Sequence, residues 1–406
     1  MKGRLERAET PAPRLGELLR DINHHGLVNG FVAFLFATTG PLAIILTVAT
    51  EGGLREAEIS SWIFAAYGIG GVMSVLFSLL YRMPIAMAWT IPGTVLLGPA
   101  LEHLSLNEIV FAYMATAALI TLLGVTGWVA RVMALFPLPI VMAMVAGVFL
   151  PLGLNIITAF QQAWWIALAM LAGFVLMSAA GRFAQIVPPV LVALLAGAVV
   201  IAVSGGLSPE RPISFTLAQP ILFRPEFSWA ALAELVLPLT ITVVGIQNAQ
   251  GFVILRDAGY RPPQNMLTLA CGVGSFFFGL FGSVSACVTG PSNAILNASG
   301  APARRYVGGI AFGLLMLLFG VFAPVTASLG LAVPAAFIGM LGGLALLGVL
   351  QSAFTTAFGG SFRLGALVTF LVTISDVAIF NIGAAFWGLV FGYAASRLLE
   401  PGDFSA

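Results

Sequence analysis

The chain has 406 residues, 60% of them hydrophobic and 8% charged, with a formal net charge of +1. Its mean hydropathy of +1.04 excludes a soluble globular domain, and the near-neutral charge excludes a basic nucleic-acid-binding face. The composition is that of an integral membrane protein.

Residues 1–26 are mixed in charge and lack an apolar core, so they read as a cytoplasmic arm, not as a signal peptide or stop-transfer segment. Apolar runs of about 20 residues follow at 27–49, 59–81, 107–130, 138–157, 162–180, 186–204, 230–255, 264–281, 305–328, 334–351, 362–379 and 381–398. Two more, 84–101 and 283–299, are broken by Pro-Gly and Gly-Pro and make segments 3 and 10 of fourteen. With the N-terminus inside, only Arg55, Arg211 and Arg224 of the 17 Lys and Arg residues fall outside, which favours this count. The expected fold class is an all-α integral membrane protein with 14 transmembrane segments.

The Pro-rich stretch around 206–229 divides the chain into seven segments on each side. An odd number per half reverses the second half, so likeness between halves implies an inverted repeat. Thr90-Ile91-Pro92-Gly93 is echoed by Thr289-Gly290-Pro291-Ser292. Pro139, Gly147 and Gly153 are echoed at the same spacing by Pro334, Gly342 and Gly348. The reading is a seven-plus-seven inverted repeat with discontinuous segments 3 and 10, each a short extended stretch followed by a half-helix.

Proline suits the first helical turn and holds the preceding residue extended. Half-helices starting near Pro92 and Pro291 would present N–H groups and positive dipole ends at mid-membrane, where irregular backbone must be covered by protein or line a cavity. This implies a central site for a small anion or polar solute. Candidate binding residues are Trp89, Thr90, Pro92, Gly93 and Thr94 in segment 3, and Thr289, Gly290, Pro291, Ser292 and Asn293 in segment 10. Segment 8 adds Gln247, Asn248, Gln250 and Gly251; segment 1 adds Thr38 and Thr39. Gln247 and Gly251, one helical turn apart, are expected to share the site-facing side, with Asn248 or Gln250 tying the helix to its neighbours. For each polar residue the competing role is interhelical hydrogen bonding. Phe34, Phe36, Tyr67 and Trp89 are candidate aromatic walls.

Nothing in the sequence marks an enzyme or a cofactor site. His24, His25 and His103 lie in loops or at segment ends, no metal-ligand spacing or phosphate loop is present, and Cys271 and Cys287 read as packing residues. A buried membrane acid can carry a coupling proton. Glu234 and Asp376 lie near interfaces, however, and read as solvated or helix-capping.

The stretches "GFVAFLFATTG", "SSWIFAAYGIGGVMSVLFSLLYRMPIAMAWTIPGTVLL", "GVTGWVARVMALFPLPIVMAMVAGVFLPLGL", "QNAQGFVILRDAGYRPP" and "VTFLVTISDVAIFNIGAAFWGLVFGY" resemble the BenE-type benzoate:proton symporters across nearly the whole chain. That family is similar in fold to the uracil and purine permeases and to the sulfate-permease/prestin group. The resemblance implies a core of 27–131 and 230–329 and a gate of 132–205 and 330–399. The arm 1–26, linker 206–229 and tail 400–406 flank them. It further implies proton-coupled transport of a small organic anion, benzoate or a related aromatic carboxylate, by elevator-like movement, with no cofactor. The expected assembly is a homodimer joined through the gate, in the cytoplasmic membrane with both termini inside. Where the family shows an Ala-Ile-Thr-Ala-Ala-like run, this chain has "SACVTGPSNAIL", and Gln250 replaces a proline. Gln247 stands where nucleobase permeases carry an acid, which disfavours nucleobases. The alternatives are an anion channel or exchanger of the sulfate-permease type, a nucleobase permease, or a sensor that binds without transport.

Overall fold

The computed structural model describes residues 5–8, 10–129, 131, 137–181, 187–204, 216–298, 300–375, 377, 379 and 382–404. Asp376 and the junction at 205–206 therefore lie outside the described residues. The first half runs α1 (Leu15–Asp21), α2 (His24–Glu51), α3 (Glu56–Tyr81), β1 (Met87–Trp89), α4 (Ile91–Leu101), α5 (Leu106–Thr126), α6 (Leu138–Ala179) and α7 (Pro189–Ser204). The second runs α8 (Trp229–Asp257), α9 (Gln264–Leu280), β2 (Ala286–Val288), α10 (Gly290–Leu296), α11 (Tyr306–Val321), α12 (Ala323–Ala332), α13 (Ala335–Phe358), α14 (Arg363–Ile374) and α15 (Ala384–Leu399). Seven described helices are long and apolar enough to cross a membrane: α2, α3, α5, α6, α8, α11 with its leading turn, and α13. The molecule is a mostly helical, multi-pass membrane protein.

Helix boundaries follow local chemistry. Asn23 caps α2 by accepting the Gly26 N–H at 2.8 Å, and Ser105 and Glu108 form a reciprocal capping box on α5. That helix ends at Gly127, whose φ of +70° suits a residue without Cβ. The runs 138–157 and 162–180 are two helical stretches of α6 that meet at a break at Ala163, where φ is −151° and ψ 74°. Two expected boundaries shift. The run 305–328 is instead divided at Phe322, with Pro324 in the first turn of α12. The run starting at 334 extends to Phe358 as α13.

The helices pack most extensively as α6 on α13, α5 on α9, α14 on α15 and α3 on α11. One large hydrophobic cluster joins α2, α3, α4, α5, α8, α9 and the first half of α6. A second gathers Ala159, Ile166, Met170, Ala193 and Ile201 of α6 and α7 around Phe337, Met340 and Leu344 of α13. The arm straps one end of the molecule: Arg82 pairs with Glu17, Tyr306 donates to Asp21 at 2.8 Å, and the Glu6 carboxylate accepts the N–H groups of Asn265 and Met266.

Candidate functional site

The centre is organised by β1 and β2, which pair antiparallel in the register Met87↔Val288, Ala88↔Cys287 and Trp89↔Ala286. Thr90 N–H to Ser285 O, at 3.0 Å, and Thr289 N–H to Ala86 O, at 3.1 Å, extend the ladder. Two strands have two outer edges, and unpaired peptide groups in an apolar interior are costly. Side chains cover them. Ser74 Oγ accepts Met87 N–H at 2.8 Å and donates to Met87 O at 2.9 Å, while Ser78 does the same for Ile85. On the β2 side, Ser275 Oγ accepts Ala286 N–H at 2.9 Å and Asn248 Oδ1 accepts Val288 N–H at 2.7 Å.

From this pair two helices depart. Thr90 caps α4, its Oγ1 accepting Gly93 N–H, with Pro92 in the first turn; Thr289 precedes α10, with Pro291 in its first turn. Asn293 links the two: its Oδ1 accepts Ala86 N–H at 3.0 Å, and its amide donates to Ala86 O at 3.1 Å and Thr289 O at 2.5 Å.

A cavity of about 560 Å³ opens at these helix starts. Ile91 and Pro92 of α4, Pro291 of α10, and Gln247 and Gln250 of α8 form one side. Leu138, Met142 and Val145 of α6 and Gly348, Val349, Ser352 and Thr356 of α13 form the other. Among the described residues, no Asp, Glu, Lys or Arg lines it. Gln247 is 5% exposed and its Oε1 has no hydrogen-bond partner among the described residues.

Of the sixteen candidate residues, the structure brings Pro92, Gln247, Gln250 and Pro291 to this cavity. The expectation that Gln247 shares its face with Gly251 is corrected. Gln250, three residues on and so also a neighbour of Gln247 on the helix surface, lines the cavity with it. Gly251 instead packs on β2, where an added Cβ would lie 2.9 Å from Val288 O. Gly290 leaves room for the Gln250 side chain, which any Cβ there would strike, and Gly93 nestles against Thr90 and Leu239. Ser292 is buried beside Pro291 at the start of α10 but does not line the cavity.

The other candidates hold the scaffold. Thr38 and Thr39 donate back to Phe34 O and Leu35 O of their own helix, and Thr94 donates to Thr90 O. Tyr67 donates to Ala37 O at 2.6 Å, and its ring meets those of Trp89 and Phe319, the latter also touching Phe34. None of Phe34, Phe36, Tyr67 or Trp89 lines the cavity. The reading of Glu234 as solvated is also corrected. Its side chain is 5% exposed and lies 2.9 Å from Nε2 of His103, because the α4–α5 turn closes over the first turns of α8. Cys271 and Cys287 are buried free thiols.

Sequence reasoning missed the α6 and α13 wall. Ser352 and Thr356 were its one signal: two hydroxyls one turn apart in an apolar run.

The overall fold is also seen in solved structures of membrane proteins. The transmembrane domain of a cyanobacterium bicarbonate transporter, BicA, matches with a TM-score of 0.63 at 16% identity, over 97% of this chain and 98% of that one. The overall structure of SLC26A9 matches with a TM-score of 0.62 at 14% identity, over 94% of this chain; the chain spans 65% of that protein. The chain itself belongs to the BenE family, described as benzoate membrane transport protein, whose model matches residues 20–398. It is 33% identical over 371 residues to "Inner membrane protein YdcO" of Escherichia coli (strain K12), covering 90% of this chain and 93% of the relative. It is 31% identical over 389 residues to "Benzoate membrane transport protein" of Acinetobacter baylyi, covering 95% and 98%. This is a family of membrane transporters, not of enzymes.

Proposed function

We propose that the protein is a secondary transporter of a small organic anion, benzoate or a related aromatic carboxylate, moved with a proton by elevator-like alternating access. The observation that carries this reading is the 560 Å³ cavity, in which the start of α4 and the amides of Gln247 and Gln250 meet a largely apolar wall. An aromatic ring fits the leucine, methionine and valine side chains. A carboxylate finds the positive end of α4 and amide donors in low dielectric. The absence of an acid among the described residues that line it disfavours a nucleobase, whose ring N–H groups call for an acceptor. The name of the Acinetobacter relative supports benzoate as the first substrate to test.

Alternating access is supported by a second cavity of about 370 Å³ further along the same helices. The α4, α6 and α8 helices each lend one stretch to the first cavity and another to the second. In this reading fourteen segments form a seven-plus-seven inverted repeat, with β1–α4 and β2–α10 as discontinuous segments 3 and 10. The core, 27–131 and 230–329, slides against the gate, 132–205 and 330–399, which also joins a homodimer in the inner membrane, both termini cytoplasmic.

The test is uptake of labelled benzoate into proteoliposomes, with and without an inward proton gradient, challenged by excess uracil, bicarbonate and other carboxylates. Gradient-stimulated uptake blocked by aromatic acids alone is the expected result. No benzoate flux from folded protein overturns the reading, and flux blocked by bicarbonate or uracil redirects it to those substrates.

A further inference from the structure

The second cavity differs in chemistry from the first. Val48 and Glu51 of α2, Gly98, Pro99 and Glu102 at the end of α4, and Glu234 of α8 face Gly147 and Pro151 of α6, Thr373 of α14 and Gly383 before α15. Among the described residues, three carboxylates and no Lys or Arg line it.

Behind the wall of this cavity, His103 is held between Pro99 and Glu234, two of its lining residues. Its Nδ1 lies 3.1 Å from Pro99 O and its Nε2 2.9 Å from Glu234 Oε2. A carbonyl oxygen only accepts, so Nδ1 carries a proton. In a neutral ring Nε2 would then present a lone pair to the carboxylate, and two acceptors at 2.9 Å repel. The contact therefore holds one further proton, either on Nε2, as imidazolium and carboxylate, or on Glu234, as a carboxyl donating to neutral Nε2. Both forms carry the same number of protons.

The position of Glu234 ties that proton to movement. Its Oε1 lies so close to Gly383 that a Cβ at residue 383 would strike it. A side chain of α8 thus packs directly on the backbone leading into α15, at the contact that must open if the two sides separate. Across the cavity, Thr373 is 8% exposed and its Oγ1 has no hydrogen-bond partner among the described residues. His103, with its side chain 26% exposed, gives the proton a route from solvent.

We infer that the Glu234–His103 pair is the proton-coupling site of the transporter, distinct from the cavity that takes the substrate. A proton from water in the second cavity closes the pair and favours the packed arrangement. Its return to water leaves carboxylate facing lone pair and drives Glu234 away from His103 and Gly383. The other ionisable groups facing the pair are Glu51 of α2, Glu102 at the end of α4 and Glu108 of α5. The lining stretches of α6, α14 and α15 add none among the described residues, and Asp376 lies outside them. The negative groups raise the local proton concentration.

This inference rests on the transport reading above, and one set of proteoliposome measurements separates the two. Counterflow, the exchange of labelled against unlabelled benzoate at equal pH, needs substrate movement but no net proton flux. Uptake driven by an inward proton gradient needs both. Glu234→Gln and His103→Gln are expected to keep counterflow within about threefold of the parent and to lose at least tenfold of gradient-driven accumulation. Either variant retaining both counterflow and the parental response to the gradient overturns the assignment. Counterflow without gradient-driven uptake in the unsubstituted protein overturns the proton site and the proton coupling above, and leaves carboxylate transport standing. No counterflow in that protein overturns both. If one variant fails to fold, the other decides.

Discussion

Asn293 and Gln247 are amides at similar depth, on α10 and α8, with opposite surroundings. Asn293 spends its donors and its acceptor on Ala86 and Thr289 and so bolts the strand pair to α10. Gln247, at the edge of the first cavity, has an amide oxygen with no partner among the described residues, and it is the NH2 of the same amide that can donate to a carboxylate. In a dry interior a polar group is tolerated when the protein satisfies it, and one left over beside a cavity suits a ligand. The scaffold and the cavity wall therefore use the same side chain for different ends, and substitutions should separate them.

The largest effect is expected in the scaffold. Asn293→Ala removes three hydrogen bonds and strands the N–H of Ala86, at about 1–3 kcal/mol for a buried group left unpaired, while Ala86 O keeps the Thr289 N–H. Detergent-solubilised protein should unfold several degrees earlier. Asn293→Asp, which keeps the acceptor but loses both donations, should fall between. An unchanged melting temperature for the alanine variant would contradict the scaffold role.

Gln247→Leu should behave in the reverse way. Folding stability holds or rises, because an unsatisfied polar group is removed. Benzoate affinity, read by titration calorimetry, falls about tenfold to a hundredfold, corresponding to a hydrogen bond to a charged group. Unchanged affinity would remove Gln247 from the binding site.

Two glycines sharpen the contrast. At Gly251 a Cβ meets the carbonyl of Val288, 2.9 Å away, and Val288 Cγ1 at 2.7 Å, so Gly251→Ala forces α8 from β2 at about 1–3 kcal/mol of overpacking. At Gly290 the obstacle is the Gln250 side chain, which can swing into the cavity. Gly290→Ala should alter selectivity among carboxylates of different size with a smaller loss of thermal stability. Equal melting shifts in the two would erase the distinction.

How far this was legible in the sequence depended on how local each signal was. Pro92 and Pro291 announce helix starts because proline acts on its own backbone. Gln247 and Gln250 stand out because amides are rare in an apolar run. Ser74, Ser78 and Ser275 gave no warning: a single serine in an apolar helix looks like any small residue until a strand edge lies beside it. The wall from α6 and α13 was hidden for the same reason, since it comes from stretches some two hundred residues apart in the chain. Helical spacing did not choose between Gln250 and Gly251, which lie three and four residues beyond Gln247 and are both its neighbours; the packing of Gly251 on Val288 leaves Gln250 to face the cavity.

The smallest expected effect tests the satisfied-group rule at the protein's edge. Glu400 follows α15 and accepts the N–H groups of Leu364 at 2.7 Å and Gly365 at 2.9 Å, at the start of α14, and the hydroxyl of Ser396 at 2.6 Å. Partial burial raises the carboxyl's pKa, but the Ser396 hydroxyl and the two backbone donors outweigh it, so Glu400 titrates below its ordinary value. A group whose pKa is depressed by folding stabilises the native state above its unfolded pKa, and that stabilisation is lost as pH falls through the lower, folded value. Glu400→Gln should therefore cost about 1 kcal/mol, the usual worth of a helix cap, at neutral pH. The gap between variant and parent should close only below the ordinary carboxylate range. A gap that stays constant into strong acid would mean that the cap works through shape alone. A gap that closes shows that the carboxylate's charge at the α14 N-terminus carries the effect, the exposed counterpart of the neutral amide work Asn293 does at the centre.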